Sequence, residues 1–160
     1  VGIVGMGTIG KKLTTLLRPF NCKILARDHV TDMEFARENN INYVHLDELL
    51  KESDIVTLHL PLDNDTKGFF DRNLFLQMKD QAIFINTSRG KLVDEDGLYD
   101  VLSAGKISHA CLDVYNNEPY TGKLNELDNV TLTCHIGSYA KEARIKMEEQ
   151  AVENLLKGLG

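Results

Sequence analysis

Three side chains in this sequence have the types that proton transfer beside an organic acid requires. Each follows a run of β-forming residues. His135 stands in Thr133-Cys134-His135-Ile136-Gly137, Glu118 in Asn116-Asn117-Glu118-Pro119, and Arg89 in Thr87-Ser88-Arg89-Gly90. Histidine is the side chain best tuned to take and return a proton near neutral pH. A carboxylate beside it favours the imidazolium form, a role open to Glu118. Arginine grips a carboxylate through two parallel hydrogen bonds, so Arg89 can hold and orient an acid. Together they suit oxidation of a 2-hydroxy acid, in which a hydride passes to a redox cofactor and the hydroxyl proton passes to the imidazole. Singly, each has a plainer reading: Arg89 as a solvent-facing loop arginine, Glu118 as a surface carboxylate, His135 as a histidine ending a core strand. Their shared placement is what gives the set weight. His29, His45 and His109 lack such company and read as structural or exposed. His59 reads as shaping the turn before Pro61.

A cofactor for that hydride has a matching signature. Gly5-Met6-Gly7-Thr8-Ile9-Gly10 is a GxGxxG pattern placed between a strand-like run and an amphipathic helix-like run. In that setting Gly5 permits the tight turn, Gly7 lets the backbone approach a pyrophosphate, and Gly10 lets the helix lie close on the sheet. The N–H groups opening the helix would then face the phosphates. Asp28 follows Gly10 by 18 residues, just past the second strand-like run. A carboxylate there accepts from a ribose 2′-OH and repels a 2′-phosphate, which favours NAD over NADP. Arg27 pulls the other way, since an arginine there can accommodate the phosphate.

The elements that would position these groups alternate along the chain. Strand-like runs are 1–4, 22–26, 42–44, 55–60, 82–86, 107–112 and 130–134, several of them almost wholly apolar, as in a parallel sheet covered on both faces. Between them lie helix-like runs. Ile9, Leu13, Leu16 and Leu17 form one apolar stripe. Thr31 to Glu34 reads as a capping box. Asp47–Lys51, Asp71–Met78 and Asp94–Ala104 are further helices. A last helix over about 140–157 has Ala140, Ala143, Met147, Ala151 and Leu155 as its stripe. Strand–helix alternation predicts an α/β fold: a doubly wound, mainly parallel sheet with helices on both faces, the Rossmann arrangement, as one dinucleotide-binding domain over 1–160. In such a sheet, ligands bind outside the carboxyl ends of the strands. That rim would carry the glycine cradle, His59-Leu60-Pro61, Asn86 to Arg89, Asp113 and His135.

Composition narrows the alternatives. The formal net charge is −6 and the basic residues are scattered, which argues against nucleic acid as a partner. No apolar run approaches the roughly 20 residues that span a bilayer, so no membrane partner is expected. The three cysteines, Cys22, Cys111 and Cys134, fit neither a zinc pattern nor a disulfide framework and read as buried free thiols in a reducing, cytoplasmic setting. No metal is expected.

Taken together, these motifs resemble the D-isomer-specific 2-hydroxyacid dehydrogenases. The likeness covers essentially the whole chain and rests on GMGTIG with Asp28, SDIVTLHLPL followed by Thr66-Lys67-Gly68, INTSRGKLVDE, ACLDVYNNEP and LTCHIGS. It implies that Arg89, Glu118 and His135 are the catalytic trio. It also implies that Thr8 and Ile9 contact the pyrophosphate, that Asp28 holds the adenosine ribose, and that Leu60, Pro61 and Thr66 form a cofactor-contacting loop. By the same likeness Thr87 and Ser88 lie under the nicotinamide, Asp113 bonds its carboxamide, and Gly137 and Ser138 lie near it on the other side. Two positions depart from the pattern: Arg27 stands where an aromatic residue is common, and Gly137-Ser138-Tyr139 where Gly-Gly or Gly-Ala is common. The resemblance is to the cofactor domain alone. The substrate domain of the family is built from chain on either side of it and is absent here, so the isolated domain should bind cofactor better than it catalyses. It further implies a homodimer joined through the cofactor domain, and a small 2-hydroxy or 2-keto acid as substrate, with 3-phosphoglycerate the leading candidate. Glu118 argues against the formate dehydrogenase branch, which has a glutamine there. The competing expectation is an NAD-sensing binding protein like the corepressors that share this fold.

Overall fold

β-Branched and apolar runs become short parallel strands, and the more polar stretches between them become helices. The computed structural model describes residues 1–159. In chain order the elements are β1 (Gly2–Val4), α1 (Thr8–Leu17), β2 (Ile24–Arg27), α2 (Met33–Glu38), β3 (Ile41–Tyr43), α3 (Leu46–Glu52), β4 (Ile55–Leu58), α4 (Arg72–Gln77), β5 (Ile83–Asn86), α5 (Glu95–Ser103), β6 (His109–Leu112), β7 (Val130–Leu132) and α6 (Lys141–Leu159). Short 3-10 turns occupy Arg18–Phe20, Gly90–Leu92 and Lys123–Glu126.

The seven strands form one sheet in the order β3-β2-β1-β4-β5-β6-β7, and every neighbouring pair is parallel. The chain winds outward from β1 to β3, then crosses to the other side of β1 and winds outward again. The switch between β1 and β4 leaves a crevice at their carboxyl ends, the standard ligand position of such sheets. Register makes that rim a straight row. Val4 pairs with Arg27 and Leu58, Leu58 with Asn86, Asn86 with Leu112, and Leu112 with Leu132. The residues just beyond that row are therefore Gly5, Asp28, His59, Thr87, Asp113 and Thr133.

Two apolar layers hold the sheet. One gathers Phe70, Phe75, Phe84, Leu98, Val101 and Leu102 between the sheet and α4 and α5. The other packs Ile3, Met6, Ile24, Ala26, Ala36 and Ile41 with α1 and α2. Phe70, Phe75 and Phe84 meet with ring centroids 4.8–4.9 Å apart, a cluster stabilising beyond its buried area.

Four expectations need correction. The buried face of α1 carries Gly10 and Thr14, with Leu13 and Leu17 partly buried, whereas Ile9 and Leu16 are exposed. The close approach of Gly10 to the sheet rotates Ile9 outward. The cap of α2 is Asp32, whose Oδ1 accepts from Phe35 N at 3.0 Å, rather than Thr31. The cysteines are free but not buried: Cys22 and Cys111 are half-buried and Cys134 is exposed. Cys134 lies beyond the end of β7, an edge strand with no neighbour outside it. Finally, α6 buries none of its residues. Its anticipated stripe is mostly alanine, which offers little area, and Ile145, Met147, Val152 and Leu155 all remain exposed.

Candidate functional site

The glycine cradle is built by two steric contacts and one opening. Gly5 adopts φ +100, and a Cβ there would sit 2.5 Å from the carbonyl oxygen of His59. At Gly10 a Cβ would sit 2.2 Å from the carbonyl oxygen of Gly5, which brings α1 onto the β1 turn. Around Gly7, apart from its chain neighbours and the helix's own backbone, no protein atom lies within 4 Å of the missing Cβ. Gly7 is also the N-cap of α1, with no side-chain cap and no acidic residue in the first turn. Thr8 and Ile9 are exposed beside it. An open backbone and an uncapped positive helix end are what a pyrophosphate requires, so the residues present fit that group.

Asp28 borders the cradle. Its Oδ2 accepts from Met6 N at 2.5 Å and its Oδ1 from Val30 N at 3.2 Å. Burial pushes its pKa up, but the N–H groups of Met6, Val30 and His29 outweigh that and hold the carboxyl below the usual range. It is thus an ionised acceptor with lone pairs to spare. A cleft of about 490 Å3 is lined by Met6, Gly7, Lys11, Asp28, Asp32 and neighbours. Lys11 is paired there with Asp32 at 2.5 Å, and Arg27 donates to the Asp28 carbonyl. A second groove, of about 220 Å3, runs from Asp28 past Val4 to Leu60 and Thr66. Thr66 is buried, and its hydroxyl bonds the Pro61 carbonyl at 2.8 Å, closing the loop that presents Leu60 and exposed Pro61.

Farther along the rim, Glu118 and His135 meet directly, His135 Nδ1 lying 2.9 Å from Glu118 Oε2. The other carboxylate oxygen of Glu118 accepts from Tyr115 N at 3.1 Å. The bond to His135, and then that from Tyr115, hold the Glu118 carboxyl below its ordinary pKa. Their side chains are 50% and 39% exposed, so the opposite ring nitrogen, Nε2, is left to an incoming ligand. His135 itself has φ +53, a left-handed conformation that a non-glycine residue adopts only when its surroundings impose it. Asp113 imposes it. Its Oδ1 accepts from Thr133 Oγ1 at 2.6 Å and Ile136 N at 2.9 Å, and its Oδ2 from Gly137 N at 2.9 Å. Burial raises the Asp113 pKa, but these donors outweigh it and keep the group ionised. Asp113 therefore fastens the loop on both sides of His135.

Arg89 stands on the next loop of the same rim but touches neither partner. It is exposed, with Nη1 donating to the Ser88 carbonyl at 2.6 Å. Its backbone is fixed, since Asn86 Nδ2 donates to the Arg89 carbonyl at 3.0 Å. Ser88 turns its hydroxyl inward to the Leu58 carbonyl at 2.9 Å, whereas Thr87 is exposed. Ser138 is half-buried just past Gly137. His59 bonds Thr57 Oγ1 at 3.1 Å, and burial lowers its pKa. His109 pairs with Thr131, away from the rim. Reading residue types did not single out Asn86, Tyr115 or Thr133, although all three hold the site. For Asn86 there was a signal, a polar residue closing the apolar run Ile83-Phe84-Ile85.

The geometry defines a dinucleotide-binding domain of the Rossmann type. Residues 1–137 match the profile of the family described as D-isomer specific 2-hydroxyacid dehydrogenase, NAD binding domain. The chain is 41% identical over 158 residues to a glyoxylate reductase of Korarchaeum cryptofilum, covering 98% of this chain and 48% of that protein. It is 35% identical over 163 residues to a D-3-phosphoglycerate dehydrogenase of Archaeoglobus fulgidus, covering 99% and 31%. The NAD-complexed crystal structure of a D-isomer specific 2-hydroxyacid dehydrogenase from Lactobacillus delbrueckii ssp. bulgaricus superposes with a TM-score of 0.88 at 30% identity, covering 97% of this chain and 51% of that one. The chain belongs to the D-isomer specific 2-hydroxyacid dehydrogenase family, as an NAD-binding domain. It spans about half the length of the first of these relatives and a third of the second.

Proposed function

We propose that this chain is the cofactor domain of an NAD-dependent dehydrogenase that interconverts a D-2-hydroxy acid and its 2-keto acid. The observation that carries this reading is the His135–Glu118 pair, 2.9 Å apart, on the same strand-end rim as the open cradle at Gly7. When bound, NAD supplies the hydride acceptor. Gly7, Thr8 and Ile9 hold its phosphates at the start of α1, and Asp28 takes the adenosine ribose hydroxyls. Leu60, Pro61 and Thr66 form one wall, and Thr87, Ser88, Asp113, Gly137 and Ser138 frame the nicotinamide end. Arg89 swings from the Ser88 carbonyl to clamp the substrate carboxylate. His135 Nε2 takes the hydroxyl proton, and Glu118, ionised and bonded to Nδ1, stabilises the resulting imidazolium. In the reverse direction the imidazolium returns the proton to the keto oxygen.

The substrate is a small 2-keto or 2-hydroxy acid. The relatives named above support both a glyoxylate-like acid and 3-phosphoglycerate, the two candidates to assay first. The substrate domain and a homodimer contact through the cofactor domain complete the proposal. In the full-length protein, His135→Ala should lower turnover by about 10²–10⁴-fold while NADH binding, followed by its fluorescence, is retained. A wild-type protein that binds NADH yet turns over no acid in a broad panel would instead be a sensor of the cofactor.

A further inference from the structure

We propose that Tyr115 is the positioning residue that fixes Arg89, Glu118 and His135 relative to one another; this rests on the catalytic reading of that trio above. Tyr115 touches the loops of all three. Its backbone N–H donates to Glu118 Oε1 at 3.1 Å, holding the carboxylate whose other oxygen meets His135. Its phenol hydroxyl lies 2.7 Å from the carbonyl oxygen of Thr133, two residues before His135, and 3.1 Å from that of Leu112. Its backbone is also the surface on which the Arg89 loop rests. A Cβ on Gly90 would fall 1.9 Å from the Tyr115 carbonyl carbon, so the residue after Arg89 is pressed against Tyr115 with no room for a side chain.

The ring itself is immobilised. Tyr115 is buried and stacks on Tyr120 with centroids 4.5 Å apart at 23°. Burial pushes its phenol pKa up to about 12, so the hydroxyl stays protonated and donates. A buried phenol has to find an acceptor, and here the nearer one is the carbonyl that enters the histidine loop. Asp113 ties that loop at the Thr133 hydroxyl before the histidine and at Ile136 and Gly137 after it, and Tyr115 adds a second tie on the near side, at the Thr133 carbonyl. The left-handed turn at His135 is held between them.

Tyr115→Phe keeps the ring and removes only the hydroxyl. In the full-length protein its kcat, expressed per NADH-binding site, should fall about 10-fold with KM for NADH unchanged, the signature of a misplaced acid–base group. In the cofactor-free protein the His135 Nδ1–H proton resonance should broaden through faster exchange with water, because the bond to Glu118 is no longer held in register. Tyr120→Phe removes a hydroxyl from the same stacked pair, one that accepts from Leu124 N and bonds no member of the trio, and should leave both readouts at wild-type values. Counting NADH sites keeps lost folded protein from registering as lost rate. A Tyr115→Phe protein with wild-type kcat and an unchanged His135 resonance overturns the proposal. Wild-type turnover in His135→Ala would instead overturn the catalytic reading, whatever Tyr115 does.

Discussion

His135 is held by carboxylates at two removes, Glu118 on its ring and Asp113 on its loop, and both are ionised because hydrogen bonds favour the charged form. The same holds for Asp28 at the cradle. A carboxyl whose folded pKa lies below its unfolded value contributes stability above the unfolded pKa and loses it as pH falls through the folded one. Glu118, Asp113 and Asp28 all shift downward. The urea midpoint should therefore drop as pH is lowered through and below about pH 4. A midpoint flat across that range would mean that these bonds favour neither form. The cofactor preference is decided at the same scale. Asp28→Ala removes a charged acceptor, so NADH affinity should fall about tenfold while NADPH affinity falls less. Fluorescence titration with both cofactors checks this, and equal losses for the two would remove Asp28 from the ribose.

At the scale of elements, the turn from β1 into α1 separates two kinds of glycine. Gly10 is needed by the protein, since its Cβ would meet the Gly5 carbonyl oxygen at 2.2 Å. At Gly7 a Cβ would meet nothing beyond its own chain neighbours and helix backbone. Gly10→Ala should destabilise the fold by about 1–3 kcal/mol in denaturant unfolding, the usual cost of overpacking. Gly7→Ala should cost no more than about 1 kcal/mol, the preference for glycine over alanine at an N-cap, yet it should abolish NADH binding. If Gly7→Ala bound NADH as wild type does, the pyrophosphate would have to lie elsewhere. The strand–helix elements were all legible in the sequence, because each has its own apolar period and end signals. Their inner and outer faces were less so. Spacing puts Ile9 and Leu16 on the apolar stripe of α1, but the glycine contact sets the rotation of that helix and leaves both exposed.

For the whole molecule, burial is unevenly shared. β1, β4 and β5 lie mid-sheet, with Ile3, Val4, Val56, Leu58 and Phe84 buried, whereas α6 buries none of its residues. Hydrogen exchange in this chain should therefore be slowest in those three strands and fast throughout α6, since local opening of a helix without buried contacts costs little. Protection of α6 equal to that of β4 would show that its apolar side chains are covered in solution. The same unevenness explains why the expected stripe of α6 went unburied, as periodicity shows which residues can share a face and says nothing about whether another element lies against it.

The residues of the candidate site were set out along the chain. The glycine pattern, Asp28 and the three polar residues after successive strands are local features, and a parallel sheet brings strand ends to one rim by its own geometry. Tertiary structure alone decided the contacts among them. It put Glu118 on Nδ1 of His135, turned Arg89 toward the Ser88 carbonyl, used Asp113 to fasten a left-handed turn, and made Tyr115 the common support of three loops. The bonds from Glu118 to His135, from Asp113 to its loop and from the Tyr115 hydroxyl to Thr133 join residues 17 to 24 positions apart across only a few ångströms. Their geometry depends on register and packing, which no short stretch of sequence specifies.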